Sequence, residues 1–411
     1  MTSALHQSLS NPRVLLAHPG TQHSHLLAQE FEQNGLLGEF WTGFALSAEF
    51  ADTFLRSRTL QSVFSKRIIR GIPRNKLRTV PFNELRALAS LRLGVDAQWS
   101  IHRRNERFQN AVRRSSLQQS DVVVGFDTCS WLLAARCKKA GIPFILEQTT
   151  PHPNTKADVF QYLEKNFQEW STGYVSKPPE LIEIELQEHR LADRIVVPST
   201  YTRRSLVEHG ADPAKIRQIP FGVDTRLFQP VGHASMSGRR PMRFIYAGQI
   251  NGTKGIPVLL EAWKEIPRGA AELLLVGNAS PSARKLISEF NGVTHVAPVP
   301  HKELAQLLSG SDVFVFPSFY EGLARVILES MACGLPVIAS TASGACDVIQ
   351  PGENGLLIEA GDVGGLTSAI NQLISHPEKL PAMKKSARAR AEEFTWARYG
   401  EHWQALIEEV L

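Results

Sequence analysis

The sequence predicts an α/β protein of two doubly wound, Rossmann-like domains facing across a cleft. Three observations carry that expectation: Val/Ile/Leu runs alternate with longer helix-period stretches, they form two series, and a Gly/Ser/Pro-rich segment parts the series. Runs without apolar/polar alternation suit strands buried on both faces, as in parallel sheets covered by helices. Strand–helix–strand order then requires right-handed crossovers. The 411 residues agree, because at roughly 150 residues per domain they make two or three domains.

The elements follow in order. RVLLAH (13–18) reads as a buried strand, with a helix-like stretch from Ser24 to Gln33 after it. DVVVGF (121–126), PFILEQ (143–148) and DRIVVPS (193–199) read as further strands, and WLLAARCKKAG as the helix between the first two. The first domain is therefore placed at 1–222, and the weakly structured 223–241 as a linker. Five strand-like runs follow in a second domain at 242–393: MRFIYAG (242–248), AELLLVG (271–277), VTHVA (293–297), DVFVFPS (312–318) and PVIAS (336–340). Helical patterns lie between them. The amphipathic 394–411 is expected to pack back towards the first domain.

Composition bounds the function. With 43% hydrophobic and 21% charged residues the chain reads as an ordinary globular protein. No run approaches the ~18 apolar residues of a membrane span, and MTSALHQSLSNPRVLL lacks the charged and apolar regions of a secretory signal. Cys129, Cys137, Cys333 and Cys346 form no C-x-x-C pair, so a reduced, cytoplasmic chain is expected. The net charge of +5 is uneven. Residues 1–120 hold 16 Lys+Arg against 8 Asp+Glu, and 121–411 hold 29 against 32, giving +8 and −3. The excess peaks at Lys66, Arg67, Arg70, Arg74, Lys76 and Arg78, with Ile68, Ile69, Ile72 and Leu77 interleaved. Apolar residues among cations fit an anionic membrane surface or an acidic substrate better than nucleic acid, for which no motif is present. A solvated basic face is the simpler alternative.

Several site motifs are absent. There is no G-x-G-x-x-G, no G-x-x-x-x-G-K-[ST], no H-E-x-x-H, no G-x-S-x-G and no D-x-D. A nucleotide would have to be held by cations and backbone amides.

One segment stands out, PSFYEGLARVILESMACGLPVIAS (317–340). A strand ends at Pro317, a loop carries Glu321 and Gly322, and a helix pattern runs from Ala324 to Ala332. Glu321 and Glu329 are eight residues apart, which on a continuous helix is about 12 Å of rise and about 80° of rotation. Carboxylates so placed grip separate parts of one elongated ligand rather than share a proton, and they suit sugar and ribose hydroxyls. The Gly322, Leu323 and Ala324 amides, near a helix N-terminus, suit a diphosphate. By spacing alone, two surface glutamates are the better reading.

Here the residues resemble a known family. E-G-x-x-x-x-x-x-E followed by SMACGLPVIAS is similar to the donor-site signature of retaining GT-B glycosyltransferases of family four. YAGQINGTKGIPVLLEA (246–262) resembles the family's G-R-x-x-x-x-K-G segment, ADRIVVPST…KIRQIPFGVDTRLFQP (192–230) its inter-domain bridge, and PGENGLLIEAGD (351–362) the turn after the donor helix. The matches span roughly residues 120–400. The resemblance implies that Glu321 contacts the donor sugar, Glu329 the nucleotide ribose, and Lys254 the diphosphate. It also implies a first-domain acceptor site, with an active-site histidine in a loop matched by ILEQTTPHPN (145–154). His152 is the candidate there, with a turn-capping histidine as the alternative. His18, His23 and His25 near Gly20 are candidates for acceptor or phosphate, and Glu185 and Glu188 are read as structural or acceptor-side.

The chain departs from the pattern in places. Gln249 stands where the family's Arg would be, with Arg325 and Arg284 as candidate replacements, and HPGTQHSHLLAQEF (18–31) keeps Gly20 as its single glycine. Asn278 and Ala297 occupy positions that are often glycine.

The resemblance thus implies a hexosyltransferase moving sugar from a nucleotide diphosphate, UDP- or GDP-linked, to a glycan, lipid-linked or small-molecule acceptor. Catalysis would involve His152, Lys254 and Glu321, with Gly20, Gln249, Lys254, Glu321, Gly322, Leu323, Ala324 and Glu329 binding the donor. Retention, no metal and no cofactor are expected, in polysaccharide biosynthesis, cytoplasmic or peripheral on the inner face of the membrane. A catalytically degenerate sugar-nucleotide scaffold, a nucleotide-sugar epimerase and a phosphorylase are the alternatives.

Overall fold

The computed structural model describes residues 11–20, 23–54, 67–171, 177–231 and 240–411. Lys66, the first ten residues and 232–239 of the expected linker lie outside them. The chain forms two compact units that are discontinuous in sequence. Unit 1 is Met1–Gln148, Lys177–Val196 and Gly400–Leu411; unit 2 is Thr149–Ser176 and Val197–Tyr399.

The first sheet is built from β1 (Val14–His18), β2 (Leu37–Thr42), β5 (Leu77–Thr79), β6 (Val122–Phe126), β7 (Phe144–Glu147), β8 (Arg194–Val197) and β9 (Ile216–Gln218), in the order β5-β2-β1-β6-β7-β8-β9. A small pair, β3 (Leu46–Ser47) and β4 (Ile68–Ile69), stands apart. β1, β6 and β7 are buried at every residue, as their unbroken apolar runs require. Helices α1 (Ser24–Gln33), α2 (Ala48–Phe54), α3 (Pro81–Arg92), α4 (Ala97–Ala111), α5 (Arg114–Gln118) and α6 (Trp131–Ala140) connect these strands. The Asp96 carboxylate caps α4 by accepting the Gln98 and Trp99 amides, and Gly141, at φ 68°, closes α6 in the left-handed region.

The second sheet comprises β10 (Met242–Ala247), β11 (Ala271–Val276), β12 (Val293–Val296), β13 (Val313–Phe316), β14 (Val337–Ser340) and β15 (Gly355–Ile358). Its order is β12-β11-β10-β13-β14-β15, with all five adjacent pairs parallel. That is the six-stranded Rossmann order, with the topological switch between β10 and β13. α7 (Pro153–Asn166) lies in unit 2, α8 (Pro179–Leu191) in unit 1, and α9 (Thr200–Glu208) in unit 2. They are followed by α10 (Ile256–Lys264), α11 (Pro281–Ser288), α12 (His301–Ser309), α13 (Arg325–Ala332), α14 (Val363–Ser375), α15 (Leu380–Ala391) and α16 (Trp396–Val410). The boundary between units falls inside α16, at Gly400. Within unit 1 the fully buried Trp403 meets Phe31 edge-on, with ring centroids 5.9 Å apart. Within unit 2 Tyr399 packs on Phe221 and Trp396.

The basic segment is more structural than its composition suggests. Arg67 pairs with Glu84 at 3.0 Å, Lys76 with Glu32 at 2.7 Å and Arg78 with Glu39 at 2.8 Å. Ile69 and Ile72 are buried, and Ile68 and Leu77 are half-buried in β4 and β5. The sequence pattern invites Ile68, Ile69 and Leu77 to enter a membrane interface, but Ile69 is only 8% exposed and belongs to the core. Arg70 and Arg74 are the exposed cations of the described part. No helix among the described residues is long and apolar enough to cross a membrane.

Candidate active site

The switch point of the second sheet is where two loops converge. β10 ends at Ala247, and the chain turns through Gly248 (φ 154°) and the exposed Gln249, whose carbonyl accepts the buried Tyr246 hydroxyl at 2.7 Å. A Cβ at Gly277 would come 1.7 Å from the Gly248 carbonyl oxygen, so the loops after β10 and β11 touch backbone to backbone. The Asn251 side chain caps a 3-10 turn at Gly252–Lys254 by accepting the Lys254 amide at 3.1 Å. Gly255 then passes at φ 73°, where a Cβ would sit 1.9 Å from the Pro317 carbonyl oxygen. Only glycine permits that approach, and it delivers Lys254 to the loop that follows β13.

There Lys254 Nζ donates to Glu321 Oε1. The Ser318 hydroxyl lies 3.3 Å from the same oxygen and 3.1 Å from the Thr253 carbonyl, and the Phe319 amide donates to that carbonyl at 2.9 Å. The side chains of Lys254 and Glu321 are 24% and 19% exposed, so the pair is desolvated on most sides yet open to a ligand. The Glu321 charge, after burial, helps push the Tyr246 phenol well above its usual range.

The 320–324 loop is fixed from three directions. The Glu321 amide donates to the Ala342 carbonyl, and the Ser199 hydroxyl, which also caps α9, donates to the Gly322 carbonyl. A Cβ on Gly322 would come 1.9 Å from the Thr149 carbonyl oxygen. The Tyr320 hydroxyl donates to the Pro151 carbonyl at 2.6 Å. Of the three amides singled out from sequence, that of Ala324 is taken by the Ser343 carbonyl at 3.2 Å. The Gly322 and Leu323 amides meet no protein acceptor among the described residues. Leu323 and Ala324 are themselves buried.

Glu329 lies on α13, half-buried. Burial pushes its carboxyl up, while the Arg325 and His301 charges pull it down. Arg284, the other candidate replacement cation, is exposed on α11. His152 is buried in the same unit as Lys254 and Glu321. Its Nδ1 accepts the Asn154 amide at 3.2 Å at the start of α7, its own amide donates to the Ser205 hydroxyl at 2.9 Å, and its ring stacks on His209 at 4.1 Å. It thus caps a helix and anchors the 149–152 loop that abuts Gly322.

Gly20 belongs to unit 1, with His18, His23 and Glu188. Buried His23 pairs with buried Glu147, Nε2 to Oε1 at 2.5 Å. Glu188 accepts the Thr128 and Ser130 amides at 2.8 and 2.5 Å, holding Thr128 at φ 70° where α6 begins. Burial still pushes its carboxyl well up. Glu185 pairs with Lys177.

Sequence reasoning named Lys254 and Glu321 but not Ser318, Tyr246, Tyr320 or Asn251, which position them. The signal for Ser318 and Tyr320 was at hand, since both sit in the same SFYEG run. For Tyr246 and Asn251 nothing local marks the role.

Two family models match in chain order. Glycosyltransferase Family 4 matches residues 66–227 and Glycosyl transferases group 1 matches 241–376. The chain belongs to the family 4, group 1 glycosyltransferases. Among curated relatives, this glycosyltransferase is 29% identical to MMP alpha-(1->4)-mannosyltransferase of Mycolicibacterium hassiacum, over 66% of this chain and 67% of that one. It is 32% identical to D-inositol 3-phosphate glycosyltransferase of Paenarthrobacter aurescens, over 54% and 59%. The matches thus span about half to two thirds of the length of these relatives. Among solved structures, sucrose-phosphate synthase from Thermosynechococcus elongatus superposes with a TM-score of 0.70 at 22% identity, over 97% of this chain and 99% of that one. Anabaena Alr3699/HepE in complex with UDP-glucose gives 0.62 at 17% identity, over 98% and 100%. The fold is GT-B, with two Rossmann-like parallel-sheet domains.

Proposed function

We propose that this glycosyltransferase moves a hexosyl group from a nucleotide-diphosphate sugar to an acceptor hydroxyl, retaining the anomeric configuration and using no metal. The observation that carries the reading is the Lys254–Glu321 pair at the β10/β13 switch point, beside the Gly322 and Leu323 amides. A switch point is where parallel sheets take nucleotides. Lys254 and those two amides face the diphosphate, and the Glu321 carboxylate, paired with Lys254, accepts from donor-sugar hydroxyls. Glu329 holds the ribose, and Gln249 contributes hydrogen bonding without charge.

The acceptor oxygen bonds to the anomeric carbon as the carbon–oxygen bond to the diphosphate breaks on the same face. The acceptor proton passes to the departing phosphate oxygen, so no enzyme carboxylate is needed on the acceptor side. Lys254 stabilises charge that grows on the leaving group, which is where an electrostatic contribution accelerates reaction. His152 acts by position, holding the 149–152 loop against Gly322. Unit 1 supplies the acceptor site. The curated relatives, a mannosyltransferase and an inositol-phosphate glycosyltransferase, support a hexose donor and a polyol or glycan acceptor. A role in polysaccharide assembly and a seat on an anionic inner membrane face through Arg70 and Arg74 complete the reading.

The test is a thermal-shift screen of UDP, GDP and their sugars, followed by turnover in the presence of chelator. Ligands that bind the native state raise the melting temperature. A selective shift with chelator-resistant transfer is expected. Loss of transfer that manganese or magnesium restores overturns the metal-free mechanism. Binding without turnover on any acceptor favours a degenerate scaffold, the reading that the exposed, neutral Gln249 would support.

A further inference from the structure

The first sheet has a switch point of its own, between β1 and β6. Ligands of such sheets bind beyond the carboxyl ends of the strands at that place. The residue ending β1 there is His18, 7% exposed. Its ring meets the ring of Phe126, the last residue of β6, edge-on at 4.7 Å. A Cβ on Gly20 would come 2.9 Å from His18 Cε1, so the glycine leaves room for the imidazole.

The ring is oriented as well as packed. Nδ1 lies 3.1 Å from both the amide nitrogen and the carbonyl oxygen of Gly20. The amide carries its hydrogen in every state and points it at Nδ1, so Nδ1 accepts and the ring proton belongs on Nε2. Burial holds the pKa down to about 3, the Gly20 backbone contact opposing it and the nearby His23 and Arg104 charges adding to it, so the imidazole is neutral. The Nε2–H meets no acceptor among the described residues. A ligand oxygen would supply one.

We infer that His18 is an acceptor-binding residue: its Nε2–H donates to a hydroxyl of an uncharged polyol, holding the acceptor so that a neighbouring hydroxyl attacks. Donation to the attacking oxygen itself would withdraw the electrons that it needs. The inference rests on the glycosyl-transfer reading, and it adds to that reading a residue in unit 1 and a ligand class.

The experiment uses the full chain labelled with 15N-histidine, with His18→Gln identifying the His18 ring signals. Myo-inositol and methyl α-D-glucopyranoside are added as probes, with and without UDP. The His18 ring signals shift on polyol. No shift with either probe, or a shift on UDP or UDP-glucose alone, overturns the inference. In transfer assays on the same probes, His18→Asn, whose amide replaces Nδ1, raises the acceptor KM about tenfold and leaves the donor KM unchanged. His18→Gln, whose amide reaches the Nε2 position, stays within about twofold. An unchanged acceptor KM in His18→Asn, or a changed donor KM, counts against it. A polyol shift without any transfer defeats the glycosyl-transfer reading alone. Transfer without a shift defeats this inference alone.

Discussion

The two switch points are built on one strand order and carry opposite chemistry. At β10/β13 a lysine and a glutamate meet at 24% and 19% exposure, beside two amides with no protein acceptor among the described residues. At β1/β6 a neutral histidine sits over Phe126, with a buried His23–Glu147 pair beside it. The first arrangement suits charge that develops on a diphosphate, the second an uncharged hydroxyl. Topology therefore offers the same place in both sheets, while the local balance of charge and burial decides what kind of ligand that place suits.

The sharpest way to break this contrast is at Lys254. Lys254→Ala should lower kcat about a hundredfold or more, because it removes stabilisation realised in the transition state. Glu329→Gln should chiefly raise the donor KM, by about tenfold or less, because a ribose contact is made in ground and transition states alike. Steady-state kinetics with the selected donor decides it. A Lys254→Ala enzyme with normal kcat would erase the distinction.

A smaller effect is expected in the pH dependence of stability. Burial lowers His18 from 6.5 to about 3 and His189 from 6.5 to about 4. The unfolded chain takes up protons below pH 6.5 that these folded rings refuse. Stability should therefore fall as pH drops from 6.5 towards 4, by at most about 1.4 kcal/mol per pH unit for each ring. Glu188 and Glu329 are raised and act in the other direction, since the folded state keeps protons that the unfolded chain loses above pH 4.5. Their contribution is full below 4.5 and fades as pH rises. Denaturant melts from pH 4 to 7 should give a flatter acid limb for His18→Gln than for the parent. Equal slopes would mean that His18 titrates normally.

The smallest effect concerns Arg70 and Arg74, which lie at neither switch point. Each cation near an anionic bilayer contributes on the order of 1 kcal/mol, reduced by salt. Reversing both to Glu should weaken sedimentation with anionic vesicles and leave transfer to a soluble acceptor unchanged. Equal sedimentation of parent and variant would make the segment an ordinary solvated face.

The sequence by itself determined the α/β class, the two strand series and the motif order, because fully buried parallel strands must be continuous apolar runs. β1, β6, β7, β13 and β14 were legible for that reason. β2 (LGEFWT), β5 (LRT) and β9 (IRQ) were not, since they are short or only partly buried and carry polar residues. The sequence also singled out Lys254 and Glu321 as separate candidates, and named His18 only as one of three histidines near Gly20. Only the tertiary structure decided that the first two, 67 residues apart, form one pair, and that the His18 ring is turned and kept neutral. It also decided that the Ala324 amide is already engaged and that Ile69 belongs to the core. The physical reason is the same in each case. Apolar periodicity is a local property that a stretch of chain carries with it, whereas a desolvated pair, a filled amide or a tautomer depends on which distant backbone groups arrive beside it.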